Sequence, residues 1–174
     1  MSIFNKSDAE RSAIQEFRKR YVEHAPCSDG AEAFSKCGSR KDVFRLALSP
    51  TGVDFFLKSI MDGWGPSPDD VLSAFGAFVN GRLTVRNENG DRVTSAQMWC
   101  GENHITVDDS VRWLVLVGCV GKVEINKWQV VHVFVDSSSR VEIIAHDNSI
   151  VYVTNYGGKI TGVFGRARIN DYSD

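Results

Sequence analysis

The spacing of apolar positions divides the chain into two halves with different periods. Up to about residue 77 the apolar residues recur at helical intervals. Ser7 to Glu10 has the form of a capping box, in which the Ser7 hydroxyl and the Glu10 carboxylate each satisfy a backbone N–H. The helix that follows runs to about His24, with Ile14, Phe17 and Tyr21 on one face, and Pro26 and Gly30 punctuate it. A short helix is predicted over Ala31–Lys36 and another over Asp42–Leu48, stopped at Ser49-Pro50. A longer one begins at Thr51 or Gly52, passes through Phe55, Phe56, Ile60 and Met61, and ends at Gly63. Ser67 is a natural N-cap, Pro68 fits the first helical position, and Asp69 and Asp70 sit where the helix dipole favours anions. That last helix ends near Phe75-Gly76.

From about Phe78 the period becomes that of strands. Leu83-Thr-Val85 alternates, and Asn87–Gly90 is a turn signal. Strand then follows strand, broken at Gly101, Asp108-Asp109, Gly118, Gly121, Asp136–Ser139, Asp147-Asn148 and Gly157-Gly158. These strands repeat. One recurs as Ile105-Thr-Val107, Val123-Glu-Ile125, Val141-Glu-Ile143 and Ile160-Thr-Gly162, at steps of 18, 18 and 19 residues. A second recurs at steps of 18 as Val115-Leu-Val117, Val133-Phe-Val135 and Val151-Tyr-Val153. Self-similarity at a fixed short period is the mark of a solenoid, whose coils stack like on like.

The fold class predicted is therefore α+β: a helical region over residues 1–77, then a short parallel β-solenoid over residues 78–174 with coils of 18–19 residues. A β-sandwich or barrel of hairpins is the competing topology. An 18-residue step places Val115, Val133 and Val151 in one inward column and Val117, Val135 and Val153 in another. Ile105/Val123/Val141/Ile160 and Val107/Ile125/Ile143 are inward columns of the other strand. Thr106/Glu124/Glu142/Thr161 and Leu116/Phe134/Tyr152 then point outward. A six-residue subpattern suggests a triangular coil. The helical half is expected to cap the N-terminal end of the stack, and the tail Arg166–Asp174 to blunt the other edge.

Composition narrows the function classes. At 174 residues and 43% apolar, the chain can bury a real core. A net charge of −2 without long runs of one sign argues against a nucleic-acid or anionic-lipid footprint. The longest apolar run, Trp113–Val120, has the length of a buried strand and not of a membrane span. No apolar region like that of a secretory signal is found near Met1, so the expected compartment is the cytosol. Cys27, Cys37, Cys100 and Cys119 form no C-x-x-C pair and are expected to be thiols. His24, Cys27 and Cys37 are too few to close a zinc site, so no metal or cofactor is expected.

Certain stretches carry a resemblance. Phe56-Leu-Lys-Ser-Ile-Met-Asp-Gly-Trp64, Phe78-Val-Asn-Gly-Arg-Leu-Thr-Val85, Asn126-Lys-Trp-Gln-Val-Val131 and Asp147-Asn-Ser-Ile-Val151 fall within residues 54–85 and 122–164. There the chain resembles a group of uncharacterised proteins from gut Bacteroidetes genomes and their phages or mobile elements. The resemblance implies a helical region leading into a β-helix and a bacterial cytosolic or phage origin. It brings no activity.

The candidate site is the outward apolar column Leu116/Phe134/Tyr152, flanked by Leu114, His132 and Ile150. A row facing water should be polar, so this one is expected either to lie under the helices or to serve as a binding face. Leu116, Phe134, Tyr152 and His132 are the binding residues predicted. Catalytic signals are weak. His146 and Asp147 are sequence neighbours, whose side chains diverge in a strand. Glu124 and Glu142, stacked in register, would resemble the paired acids of some carbohydrate-active β-helices. No phosphate loop, G-x-S-x-G or H-E-x-x-H pattern occurs. The function expected is a non-catalytic cytosolic interaction module that presents a rigid face to a protein partner or to itself. A carbohydrate-active or acyl-transfer enzyme on a β-helix is the alternative.

Overall fold

A computed structural model describes residues 15–16, 18–24, 28–89, 92–126 and 128–171. The predicted capping box at Ser7 and the thiol of Cys27 lie outside them. Helix α1 covers residues 15–16 and 18–24. It is followed by α2 (Ser28–Ser35), α3 (Arg40–Ala47), α4 (Pro50–Met61) and α5 (Pro68–Phe75). Side chains cap three of these helices. The Ser39, Ser49 and Ser67 hydroxyls accept from the N–H groups of Asp42, Gly52 and Asp70. Ser49-Pro50, which the sequence suggests as a stop, is the start of α4, with Pro50 at the first position, where a missing N–H costs nothing. Ser67 and Asp70 complete the cap predicted for α5, each bonding the other's backbone N–H.

The strands form two sheets. Sheet A has the order β1(Val85–Asn89), β2(Arg92–Cys100), β4(Trp113–Val117), β6(Val130–Val135), β8(Ile150–Asn155) and β10(Arg166–Asp171). Sheet B has β3(His104–Val107), β5(Val120–Ile125), β7(Arg140–Ala145) and β9(Lys159–Phe164). Among the described residues only β1–β2 is antiparallel; every other pair is parallel. The chain alternates between sheets, so each coil contributes one strand to each. This is a parallel β-solenoid behind a set of helices, the α+β architecture the repeat predicts. The third side expected of a triangular coil is turn and not strand, at residues 108–112, 126, 128–129 and 146–149.

The register differs from an even 18-residue step, with consequences for which side chains face outward. Ile105 lies beside Val123, 18 residues on, but Val123 lies beside Ile143, 20 residues on. That slip of two preserves the alternation, so Val123, Val141 and Ile143 all remain buried inside. In sheet A the steps are 17 (Ala96 to Trp113), 19 (Trp113 to His132) and 20 (His132 to Tyr152). An odd step exchanges the two faces of a strand. Leu114 and Leu116 therefore point into the solenoid with Val131, Val133, Val135, Val151 and Val153. Val115 and Val117, expected inside, point out of it and join the core of the helices.

Two cores result. One fills the solenoid. The other lies between the helices and the outer face of sheet A, where Met98, Cys100, Val115, Val117, Phe134 and Tyr156 meet Phe44, Leu57, Val71 and Phe75. The helices thus lie along the sheet and not across the end of the stack as expected. Their anchor points follow the corners after the sheet A strands. The Cys100 thiol donates to the Pro68 carbonyl at 3.4 Å, and the Tyr156 hydroxyl donates to Asp54 Oδ1 at 2.8 Å. The tail forms β10, a last parallel strand on β8, where a blunting tail was expected.

The corners are built from polar side chains that replace backbone partners. Asp136 is fully buried, and its carboxylate accepts from the N–H groups of Gly118 (3.0 Å) and Ser138 (3.1 Å) and from the Ser138 and Ser139 hydroxyls. Ser139 Oγ in turn accepts from the Cys119 N–H at 3.0 Å. Gly121 holds φ at 139°, and a Cβ there would lie 1.9 Å from the Asn103 carbonyl oxygen. Both positions should be intolerant of change. Asp136→Ala leaves buried N–H groups without an acceptor and should lose about 3 kcal/mol of stability. Gly121→Ala forces a Cβ into a backbone oxygen and should lose about 2 kcal/mol or more. Urea denaturation monitored by circular dichroism measures both. Midpoints equal to that of the wild type would refute the account of these corners.

Candidate functional site

The helices cover only part of the outer face of sheet A. They bury the residues toward the strands' C-terminal ends. Toward the N-terminal ends the same face carries an aromatic ladder. Cross-strand register places Ala96, Trp113, His132, Tyr152 and Arg168 in one column. The neighbouring column holds Val130, Ile150 and Arg166. Tyr152 is 39% exposed and Val130 48%, while Trp113, His132 and Ile150 are half-buried. Trp128, in the turn that leads into β6, is 76% exposed and has φ of 64°, a conformation few side chains adopt.

Ring contacts make this ladder rigid. His132 stacks on Phe134 with centroids 4.2 Å apart. Trp113 meets Phe134 at 5.2 Å and His132 edge-on at 6.2 Å, and Tyr152 meets His132 edge-on at 6.3 Å. His132 Nε2 shares a hydrogen with the Thr154 hydroxyl at 2.6 Å. Burial against these rings pushes the His132 pKa below its ordinary value, because the charged imidazolium is poorly solvated there.

Of the four binding residues predicted, three share this face. His132 and Tyr152 are column neighbours, and Phe134 lies beneath them in the seam with the helices, only 5% exposed. Leu116 is not among them. It is fully buried and packs inside the solenoid, because the odd step between β4 and β6 turns it inward. Trp113 and Val130 are the face's missed members. Trp113 has a signal in the sequence once the 19-residue step is known, since it then aligns with His132.

The paired-acid arrangement does not form. Glu142 lies beside Lys122, with Oε2 3.8 Å from Nζ, and Glu124 lies beside Ile144. Glu124 instead approaches the His146 ring at 3.5 Å. Cys37, Cys100 and Cys119 are buried free thiols. Burial pushes Cys100 up to about 12 and Cys119 up to about 11, so both remain protonated and poorly nucleophilic at neutral pH. Among the described residues no cluster of three His, Cys, Asp or Glu could hold a metal, and no helix is long and apolar enough to cross a membrane. Comparison with protein-family models, with curated proteins and with solved structures gives no match.

The half-buried imidazole of His132 makes stability depend on pH. Its folded pKa lies below the value of about 6.5 that it has when unfolded. Below that pH the unfolded chain takes up a proton that the folded chain resists, so unfolding gains. The contribution is complete above pH 6.5 and is lost as pH falls toward the folded pKa. Urea midpoints measured from pH 7.5 to 5.0 should fall less in His132→Gln than in the wild type. Parallel curves for the two proteins would show that His132 is not the group responsible.

Proposed function

We propose that the chain is a non-catalytic, cytosolic protein-interaction module whose docking face is the uncovered part of sheet A. One observation carries this reading: the aromatic ladder around Tyr152 and His132 continues to solvent where the helices stop. Monomeric surfaces seldom leave contiguous apolar area on a rigid sheet without a use for it. Tyr and Trp are the side chains that most often anchor interfaces, and a parallel solenoid holds them at fixed spacing before any partner arrives, which reduces the entropy lost on binding. The buried, protonated thiols fit a reducing compartment. The partner is another protein or a second copy of this chain.

Val130→Glu combined with Tyr152→Glu places two carboxylates on the exposed ladder without touching Phe134 or the helical core. The double variant should melt within a few degrees of the wild type. It should also lose, by tenfold or more, the partners that wild-type protein retains from its source cell, or its own dimer if light scattering finds one. A folded double variant that retains every wild-type association would refute the proposed docking face.

A further inference from the structure

The docking face ends at an open strand edge. β10 is the last strand of sheet A, and among the described residues nothing pairs with its outer side. Its N–H and C=O groups there form a template for one more strand. The two columns of the face end on this strand in Arg166 and Arg168, both exposed. Neither side chain has an ion pair or hydrogen bond with another described residue, although the backbone of both belongs to the ladder with β8. They stand two positions apart on one side of a strand, roughly 6.6 Å from one another along its axis.

Building on the proposed docking face, we infer that the β10 edge receives an extended acidic segment of a partner protein, which adds as a further strand of sheet A. Main-chain hydrogen bonds to β10 would supply affinity. Carboxylates at alternate positions of the added strand would fall on the Arg166 and Arg168 side, and a residue pattern acid-x-acid matches their spacing. The guanidinium fork suits a carboxylate because it can donate two parallel hydrogen bonds. A nucleic acid fits less well. Two arginines on a chain of net charge −2 give little of the phosphate neutralisation that sustains such binding at physiological salt.

Fluorescence anisotropy with labelled nine-residue peptides tests this. The probes are a Thr/Val strand peptide with Glu at alternate positions, the same peptide with Lys in place of Glu, a version with Pro at its centre, and an oligo-dT strand. The Glu peptide should bind best, and weaken with added salt. The Pro version should lose at least tenfold, because it lacks a ladder N–H and resists the strand. Arg166→Glu with Arg168→Glu should lose the Glu peptide at least tenfold and gain the Lys peptide. Arg166→Gln with Arg168→Gln, the milder pair, should lose the Glu peptide alone. Circular dichroism melts confirm that each variant is folded. No binding of the Glu peptide, equal binding by the Gln pair, tighter binding of oligo-dT, or indifference to the Pro substitution would each overturn the inference. Arginine variants that bind peptide normally but self-associate would show these charges to be guards against edge pairing, which also overturns it. None of these results bears on the Val130→Glu/Tyr152→Glu experiment, so the edge and the ladder fail separately.

Discussion

Everything in this molecule depends on a sheet that is apolar on both sides. β4 shows it most plainly. Leu114 and Leu116 are fully buried in the solenoid, and Val115 and Val117 are fully buried against the helices. A strand with two dry faces cannot stand at a surface. It obliges the helices to lie on sheet A, and that choice leaves sheet B facing water. The outer side of sheet B follows accordingly: Lys122, Glu124, Arg140, Glu142 and Lys159 mix both signs there. At roughly 1.5–3 kcal/mol for each large side chain taken from water, the contact between helices and sheet contributes heavily to the fold. The helices and the solenoid are thus mutually dependent, although their sequences have different periods.

The same double burial explains what could and could not be read from the chain. The order of elements was legible because it rests on periodicity and caps: Ser67 with Asp70, the change of period near Phe78, the recurring triplets. In sheet B the strands alternate polar with apolar, so the alternation alone places Val123 and Ile143 in the interior even where the register differs by two residues from an even 18-residue step. Strand β4 reads Trp-Leu-Val-Leu-Val, and a continuous apolar run has no parity. Only the length of the connections decides which residues turn inward, and those vary. Two residues, Gly118 and Cys119, separate β4 from β5, while four, Asp136 to Ser139, separate β6 from β7. An even 18-residue step therefore turns Leu116 outward and leaves Trp113 out of the column, whereas the 19-residue step between β4 and β6 does the reverse.

Those connections follow their own chemistry. A corner of two residues needs a backbone that turns sharply, which Gly118 supplies at φ of 60°. A corner of four can support itself, and Asp136 does so with a buried carboxylate that accepts from its own turn and from the coil before it. Gln129 plays a related part on the opposite side. Its amide donates to the Asp108 carbonyl at 2.7 Å in the coil before, and its oxygen accepts from the Asn126 N–H at 3.0 Å. Each coil is thereby registered on its neighbour by side chains and by strand pairing together. The coils are free to differ in length because the corners, not the strands, absorb the difference.

That division of labour also determines where a binding face can exist. The helices are tied to the corners after the sheet A strands, through Pro68 beside Gly118 and Asp54 on Tyr156. Helices α4 and α5, anchored there, shelter the near end of the sheet first. The far end, close to the turns at 128–129 and 146–149, retains the aromatic residues that a covered sheet would tolerate and a solvated one would not select. Phe134 sits at the boundary, with one side against the helices and the other under His132. The exposed ladder is therefore the continuation of a buried core, already packed and ordered where it emerges. A core that emerges in this way would need no rearrangement to meet a partner, and this sets the Tyr152 region apart from exposed residues such as Val120 or Phe164 on the solvated sheet.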